Sequence, residues 1–409
     1  MGSIDEGCAS GGGHGPTVNT LPASWYREEG LYELEKRAIF SKRWMCVSHA
    51  LRFKEVGEFV NFEIAGFKFF VIRDRQKELK AFLNVCRHRA YPISEKGSGE
   101  GGKVSILACK YHGWSYGLSG NLAKAPRFET VDNFDRTMYS LYPVHLRLDR
   151  LGFVWVNLDS ANPPTIPWED HFDGVDMQSR QKDFSMDDFE FDHAWELEGE
   201  YNWKAMVDNY NECYHCTTAH PGILATTKLD TYDVKGINGF IEHYSEPLES
   251  VEHKYGVQPT YFFPNAAILI SDGITYLTRF APKSATSLKL EYEVYRHKDC
   301  TQEDFDTMNP FFKQVEIEDV ALCNAVQQNF NTDTYINGPL HPHNEKGVIY
   351  FKNLVKDVLY KHMAEEQKAG QKIFPARRTN DKDDEIAEEE AFCRLACDGN
   401  SGPKAIPQW

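Results

Sequence analysis

Between Cys46 and about Leu158 the chain runs in short stretches of alternating apolar and polar residues. EFVNFEI, FKFFVIRD, KAFLNV, KVSILAC and GFVWVNL are separated by Gly, Asp and Lys at the turns. Apolar side chains recurring every second residue line one face of a sheet, so residues 45–160 predict a small all-β domain. Ahead of it, Leu31, Leu34, Ala38 and Ile39 recur at helical spacing, with Ala23-Ser24 available to cap. That predicts a helix within 23–44, packing on the domain that follows the β region. Asn162-Pro163-Pro164 then opens a linker. YFFPNAAILIS, ITYLTRFAP and SLKLEYEVYRH read as adjacent antiparallel strands, and 304–330 and 346–368 as largely helical, the first interrupted near Pro310. Strands in one block with helices around them predict an α+β domain over 161–368, with a central antiparallel sheet flanked by helices. The Gly-rich residues 1–22 read as a disordered arm. Residues 369–409, with DKDDEIAEEE, read as an acidic extension.

At 409 residues the chain exceeds one hydrophobic core, which suits two domains plus tails. A net charge of −16 argues against partners that need a basic stripe, nucleic acid and anionic membrane among them. No apolar run reaches the roughly 18 residues of a membrane-spanning helix. The opening MGSIDEGCASGGGHGP lacks a signal peptide's apolar stretch and a transit peptide's arginines, and Glu6 stands where myristoylation wants Ser or Thr. Ten cysteines in a chain this long form no dense disulfide framework. A reducing, cytoplasmic setting is therefore expected, with the Cys213/Cys216 pair in an incidental small-residue role.

Two of the cysteines belong to a pattern that carries chemistry. Cys86-Arg87-His88 and Cys109-Lys110-Tyr111-His112 each hold one Cys and one His, at strand ends. A structural zinc site pairs like with like, whereas one Cys and one His per motif suits a Rieske [2Fe–2S] cluster, cysteines on one iron and histidines on the other. Between the pairs, EKGSGEGGK reads as an exposed Gly-rich loop. Such a cluster is an electron carrier, so something in or beside the chain must use electrons.

The user of those electrons is suggested by NWKAMVDNYNECYHCTTAHP. Two imidazoles and one carboxylate on one face of Fe(II) leave positions open for O₂ and approach of substrate. His215 and His220 are five residues apart, and at about 100° per residue a regular helix would separate them by roughly 140°. Pro221 pushes His220 out of the helical region, so His215 is expected on a last helical turn and His220 on the exit. The carboxylate must come from far along the chain. Asp319, on a helix face with Leu322 and Cys323, leads, with Val315, Leu322 and Val326 expected to face inward; Glu316 and Glu318 are alternatives.

CRHRAYP, CKYHGWSYGLSGNL, NWKAMVDNYNECYHCTTAHP and EDVALCNAVQ together resemble the large subunit of Rieske non-haem iron oxygenases, over roughly residues 25–365. Within that family the resemblance is greatest to the choline monooxygenase and carnitine oxygenase branch. It implies Cys86, His88, Cys109 and His112 as cluster ligands and His215, His220 and Asp319 as ligands of a mononuclear Fe(II). It implies that Glu212 bridges to His112 of a neighbouring subunit in a homotrimer, with Asp208 as a supporting acceptor on the same helix face. It also implies a monooxygenase that takes electrons from a separate NAD(P)H-dependent flavin/iron–sulfur reductase or a ferredoxin. No G-x-G-x-x-G after a strand occurs here to hold such cofactors. The substrate implied is choline or another quaternary or methylated amine. Tyr261, Phe262, Phe263 and Tyr276, with Phe240 and Tyr244, are the aromatics expected to cage its cation. Demethylation or ring hydroxylation is the alternative reaction. A non-catalytic electron carrier would leave the His215/His220 motif without a use.

Overall fold

In the computed structural model, residues 18–181, 184–249, 257–378, 389 and 392–393 are described. The Gly-rich arm, apart from its last residues, and most of the acidic extension lie outside them. A short ribbon pairs β1 (Val18–Asn19) with β19 (Pro339–Leu340). The first large sheet is antiparallel throughout. It contains β2 (Met45–His49), β3 (Glu58–Ile64), β4 (Phe67–Arg73), β5 (Leu79–Leu83), β6 (Gly101–Lys103), β10 (Pro143–Leu148) and β11 (Phe153–Asn157), in the order β2-β11-β10-β5-β4-β3-β6. A three-stranded sheet of β7 (Leu107–Ala108), β8 (Ser115–Tyr116) and β9 (Leu122–Lys124) packs beside it and frames the second Cys–His loop.

KVSILAC is thus two short strands rather than one. The Gly-rich stretch before it is no free loop. Gly99 N–H donates to Asn61 O (2.8 Å), Asn61 N–H to Glu100 O (2.9 Å) and Arg52 Nη2 to Gly99 O (2.6 Å). The glycines serve close approach: a Cβ on Gly101 would stand 2.6 Å from Phe59 O on β3.

The second sheet is also antiparallel, with order β12-β18-β17-β16-β15-β14-β13. Its strands are β12 (Phe189–Gly199), β13 (Thr227–Ile237), β14 (Phe240–Pro247), β15 (Gln258–Phe262), β16 (Ala266–Ile270), β17 (Ile274–Ser284) and β18 (Ser287–His297). YFFPNAAILIS, expected as one strand, reverses at Phe263-Pro264 so that Phe262 faces Ala266 across a hairpin. A proline cannot donate to the ladder, which is why the strand breaks there.

The helices are α1 (Glu29–Glu35), α2 (Glu169–Phe172), α3 (Trp203–Tyr210), α4 (Cys216–Ala219), α5 (Pro221–Leu224), α6 (Gln302–Phe330) and α7 (Lys346–Ala369). None is long and apolar enough to cross a membrane. The segment expected as a helix within 23–44 is a 3₁₀ turn at Ala23–Tyr26, then α1, then a π turn at Lys36–Phe40. α6 passes through Pro310 without interruption. The hydrogen bond lost at Pro310 is outweighed by burial of Met308 and Phe312 on either side of it.

Buried ion pairs join these parts. Glu35 at the end of α1 accepts from Trp203 Nε1 (2.7 Å) and from Lys204 on α3. Arg37 forks onto Glu366 of α7 at 2.6 and 3.0 Å. Between the two large sheets, Arg279 on β17 donates to Val47 O of β2 (2.8 Å) and to Glu293 on β18 (2.8 Å). Ser48 and Arg52 also meet Glu293. Burial alone would raise the Glu293 carboxyl, but the Arg52 and Arg279 charges prevail and hold it at about 2.

Candidate active site

The segment between α3 and α5 is shaped by one asparagine. α3 opens on Asn202, whose side chain accepts from Lys204 N–H (2.9 Å), and closes at Tyr210. Asn211 is fully buried and folds back, Nδ2 donating to Val207 O (2.9 Å). Its Oδ1 therefore accepts from His243 Nε2 (3.2 Å), leaving His243 Nδ1 to accept from Tyr232 Oη (3.1 Å). Burial, with Arg180 beside it, lowers His243 to about 3, so the ring is neutral and these partners set its tautomer. From the far side α7 presses against Asn211 O, so closely that a Cβ on Gly347 would stand 2.2 Å from it.

Because Asn211 ends α3, His215 is not on a last helical turn. It stands just before the one-turn helix α4, and His220 follows α4 at φ −122° and ψ 80°, the extended conformation that Pro221 imposes. The turn brings both rings to Asp319 of α6. His215 Nε2 lies 3.1 Å from His220 Nε2, His220 Nε2 3.0 Å from Asp319 Oδ1, and His215 Nε2 3.3 Å from Asp319 Oδ1. Bonds of about 2.1 Å to a divalent metal at right angles would set neighbouring donors about 3.0 Å apart. The three atoms therefore fit one face of an octahedral ion.

The outer nitrogens are also engaged. His215 Nδ1 meets the Glu212 carboxylate, and His220 Nδ1 meets Glu318 Oε2 at 2.7 Å. Carboxylates on Nδ1 leave each Nε2 to coordinate. Burial works against a charged His215, yet Asp319 and Glu212 overcome it and take the ring up to about 9. The donor set thus calls for positive charge at its centre, which a divalent ion supplies.

Of the acids considered beside Asp319, Glu318 orients His220 and Glu316 does not join the donor face. The inward stripe of α6 is Phe305, Met308, Phe312, Asp319, Cys323 and Gln327; Val326, expected inside, is exposed. Asp208 is a half-buried acid whose Oδ2 accepts from Tyr26 Oη (2.6 Å) and whose Oδ1 is buried with no partner among the described residues. Burial pushes its carboxyl up to about 7. Cys213 and Cys216 are joined as a disulfide that straddles His215, a bond the expectation of an incidental role did not include.

The two Cys–His loops repeat one design. Cys86 N–H donates to Tyr91 O (2.8 Å) and Ala90 N–H returns to Cys86 O (3.0 Å). Cys109 N–H donates to Trp114 O (2.8 Å) and Gly113 N–H returns to Cys109 O (3.1 Å). Ala90 (φ 59°) and Gly113 (φ 73°) are both left-handed at the matching position. The loops place two buried free thiols together and bring the His88 and His112 rings to 4.5 Å between centroids. Trp114 stacks on His88 at 5.0 Å, and His88 Nδ1 is buried with no hydrogen-bond partner. Tyr116 Oη accepts from Arg87 N–H (3.1 Å), so its own proton is directed to Cys86 Sγ at 3.3 Å. Two sulfurs, two imidazoles, an orphaned ring nitrogen and a hydroxyl on sulfur fit a Rieske cluster.

Beside the three-donor face lies a cavity of about 160 Å³. Tyr210, Tyr232, Phe311, Phe312 and Glu316 line it together with His215, His220 and Asp319. Tyr261, Phe262, Phe263 and Tyr276 do not. They are core residues, Tyr261 Oη donating to Pro264 O (2.8 Å) and Tyr276 Oη to Asn309, and Phe240 and Tyr244 are likewise absent from the lining. Phe311 and Phe312 sit about two helical turns before Asp319 on α6, a spacing that could have marked them in advance.

A β domain with paired Cys–His loops and an α+β domain with a two-histidine, one-carboxylate face define an iron-dependent oxygenase that carries its own electron-transfer centre. The family model described as "Rieske [2Fe-2S] domain" matches residues 43–135, and that described as "Ring hydroxylating alpha subunit (catalytic domain)" matches 186–361. The carnitine monooxygenase oxygenase subunit of Escherichia coli strain K12 is 30% identical over 358 residues, covering 83% of this chain and 93% of the relative. The chloroplastic choline monooxygenase of Beta vulgaris is 30% identical over 341 residues, covering 81% and 75%. The crystal structure of the quaternary ammonium Rieske monooxygenase CntA with substrate L-carnitine aligns at TM-score 0.74 and 26% identity, over 84% of this chain and 96% of that one. The chain belongs to the Rieske non-haem iron oxygenases, with a [2Fe–2S] cluster and a mononuclear iron as its cofactors.

Proposed function

We propose that this chain is the oxygenase component of a monooxygenase acting on a small quaternary or methylated ammonium compound, with choline the first candidate. The observation that carries this reading is the aromatic cavity beside the three-donor face, since a cation without N–H groups is recognised by charge and by the faces of aromatic rings. A cavity of about 150 Å³ takes up a molecule the size of benzene, so a trimethylammonium head suits this one. Similarity to a carnitine and a choline monooxygenase favours the same class.

Cys86, Cys109, His88 and His112 would hold the cluster, and His215, His220 and Asp319 the iron. When bound, these centres supply electrons and reduce O₂, one oxygen atom entering the substrate and the other leaving as water. Glu212 and Glu318 hold the two iron histidines by their outer nitrogens, and the Asn211–His243–Tyr232 chain keeps the loop that bears them in place. The cavity's rings orient the substrate and exclude water. We assign residues 45–160 to the cluster domain and 161–368 to the catalytic domain. His112 is exposed at the tip of its loop. In a homotrimer it would meet Glu212 of a neighbouring subunit, Asp208 lying behind in support. Electrons would arrive from a separate reductase or ferredoxin.

The test is a single turnover. Anaerobically reduced protein is exposed to O₂ with choline, carnitine, glycine betaine and a set of aromatic acids, and products are read by mass spectrometry. An oxidised or demethylated ammonium product is expected. Turnover of an aromatic acid alone would move the protein to the ring-hydroxylating class.

A further inference from the structure

We propose that Glu316 is the anionic anchor for the substrate's cationic head, a specificity-determining residue distinct from the three iron ligands. This deepens the proposed function and rests on it for the class of substrate.

Glu316 and Asp319 lie three residues apart on α6, so both carboxylates look into the same cavity. Asp319 turns to the histidines. Glu316 accepts a single hydrogen bond, from Tyr292 Oη to its Oε2 (2.7 Å). Tyr292 is fully buried and stacked on Trp195 at 3.9 Å, so that contact positions the carboxylate rigidly. The other oxygen accepts no hydrogen bond, and no Lys or Arg pairs with the group, among the described residues.

A half-buried carboxylate with no Lys or Arg beside it is poorly solvated and gains from a cation brought into the cavity. Burial, with Asp319 nearby, accordingly pushes the Glu316 carboxyl up to about 7. The described lining of the cavity includes no Lys or Arg, His215 and His220 are turned to Asp319, and His243 is held neutral. What the cavity does offer is aromatic surface from Tyr210, Tyr232, Phe311 and Phe312. Aromatic rings around one unpaired carboxylate form a receptor for a compact cation that donates no hydrogen bonds. The carboxylate supplies the long-range attraction and the rings supply the contact. A neutral molecule of the same shape would gain the contact and lose the charge.

The experiment compares choline with its uncharged isostere 3,3-dimethylbutan-1-ol. Both are titrated calorimetrically into the reduced, iron-loaded enzyme without O₂, using the natural protein, Glu316→Gln and Glu316→Asp. The natural protein is expected to prefer the cation. Glu316→Gln should weaken choline by about tenfold, equivalent to about 1.4 kcal/mol, and leave the isostere unchanged. Glu316→Asp should restore part of the preference. Equal losses for both ligands, an unchanged affinity for choline, or a fall in iron content in Glu316→Gln would each overturn the anchor and leave the substrate class standing. A natural protein that binds no choline would overturn the choline reading and, with it, the anchor.

Discussion

A carboxylate on the outer nitrogen of each histidine proposed to hold the iron divides the labour between residues that would touch the metal and residues that aim them. Glu318 reaches His220 Nδ1 at 2.7 Å and is itself only partly buried. Its removal should leave the fold intact while freeing the ring to rotate. Glu318→Gln is expected to lower affinity for the mononuclear iron by about 10–100-fold, the usual cost of losing such a partner, with the cluster's visible spectrum unchanged. Iron titration of the metal-depleted protein would measure it. Asp319→Ala should go further and abolish iron binding at this site, since two imidazoles alone cannot complete the face. Metal analysis showing two irons per chain rather than three would be the signature.

Among the elements, the active-site loop depends on what is packed behind it. Asn211 stops α3, and α7 is near enough to hold Asn211 only because residue 347 has no side chain. A Cβ there would overlap Asn211 O, a contact no rotamer relieves. Gly347→Ala is therefore expected to cost about 1–3 kcal/mol, as overpacking does. It should also displace the turn that carries His215, reducing iron loading more than Glu318→Gln does. Urea unfolding and iron content together would test this. Periodicity located α6 and α7, but not which glycine on α7 meets which carbonyl. The same limit applied to the strands. The aromatics of β15 and β17 look like a cation cage in the sequence, but burial directs them into the core, and the cavity's rings come from α3, β13 and α6.

For the whole molecule, the joint between the two large sheets rests on Glu293, which receives Arg279, Arg52, Ser48 and Tyr295 with no exposed surface of its own. Removing one partner of a buried pair strands the others, so Glu293→Ala is expected to destabilise by about 3–5 kcal/mol in chemical unfolding. The pH dependence follows from the depressed carboxyl. In the unfolded chain Glu293 titrates near about 4.3, and in the folded protein at about 2. Its stabilisation is complete above the unfolded value and is lost as pH falls through about 2. The natural protein should therefore lose stability across that window more steeply than Glu293→Gln, measured by unfolding at fixed temperature. The proposed trimer also belongs to this scale. Sedimentation is expected to give three times the chain mass, and a monomer would remove the inter-subunit role proposed for Glu212 and His112.

Chemistry carried by contiguous residues was present in the sequence. Each Cys–His pair lies within one short loop, and His215, His220 and Pro221 fall in one turn, so local spacing already contained the donor types and the kink between them. The alternating runs likewise implied two β-rich regions, because strand periodicity is a local property. Asp319 is different. Spacing and resemblance put it ahead of Glu316 and Glu318, but only the packing of α6 against the 211–220 loop shows its oxygen 3.0 Å from a ring ninety-nine residues away. The exit from α3 at Tyr210, the seating of the Gly-rich stretch on β3, the Cys213–Cys216 bond and the unpaired face of Glu316 were decided in the same way. Each depends on which distant surface occupies the space beside it, and a one-dimensional pattern does not hold that information.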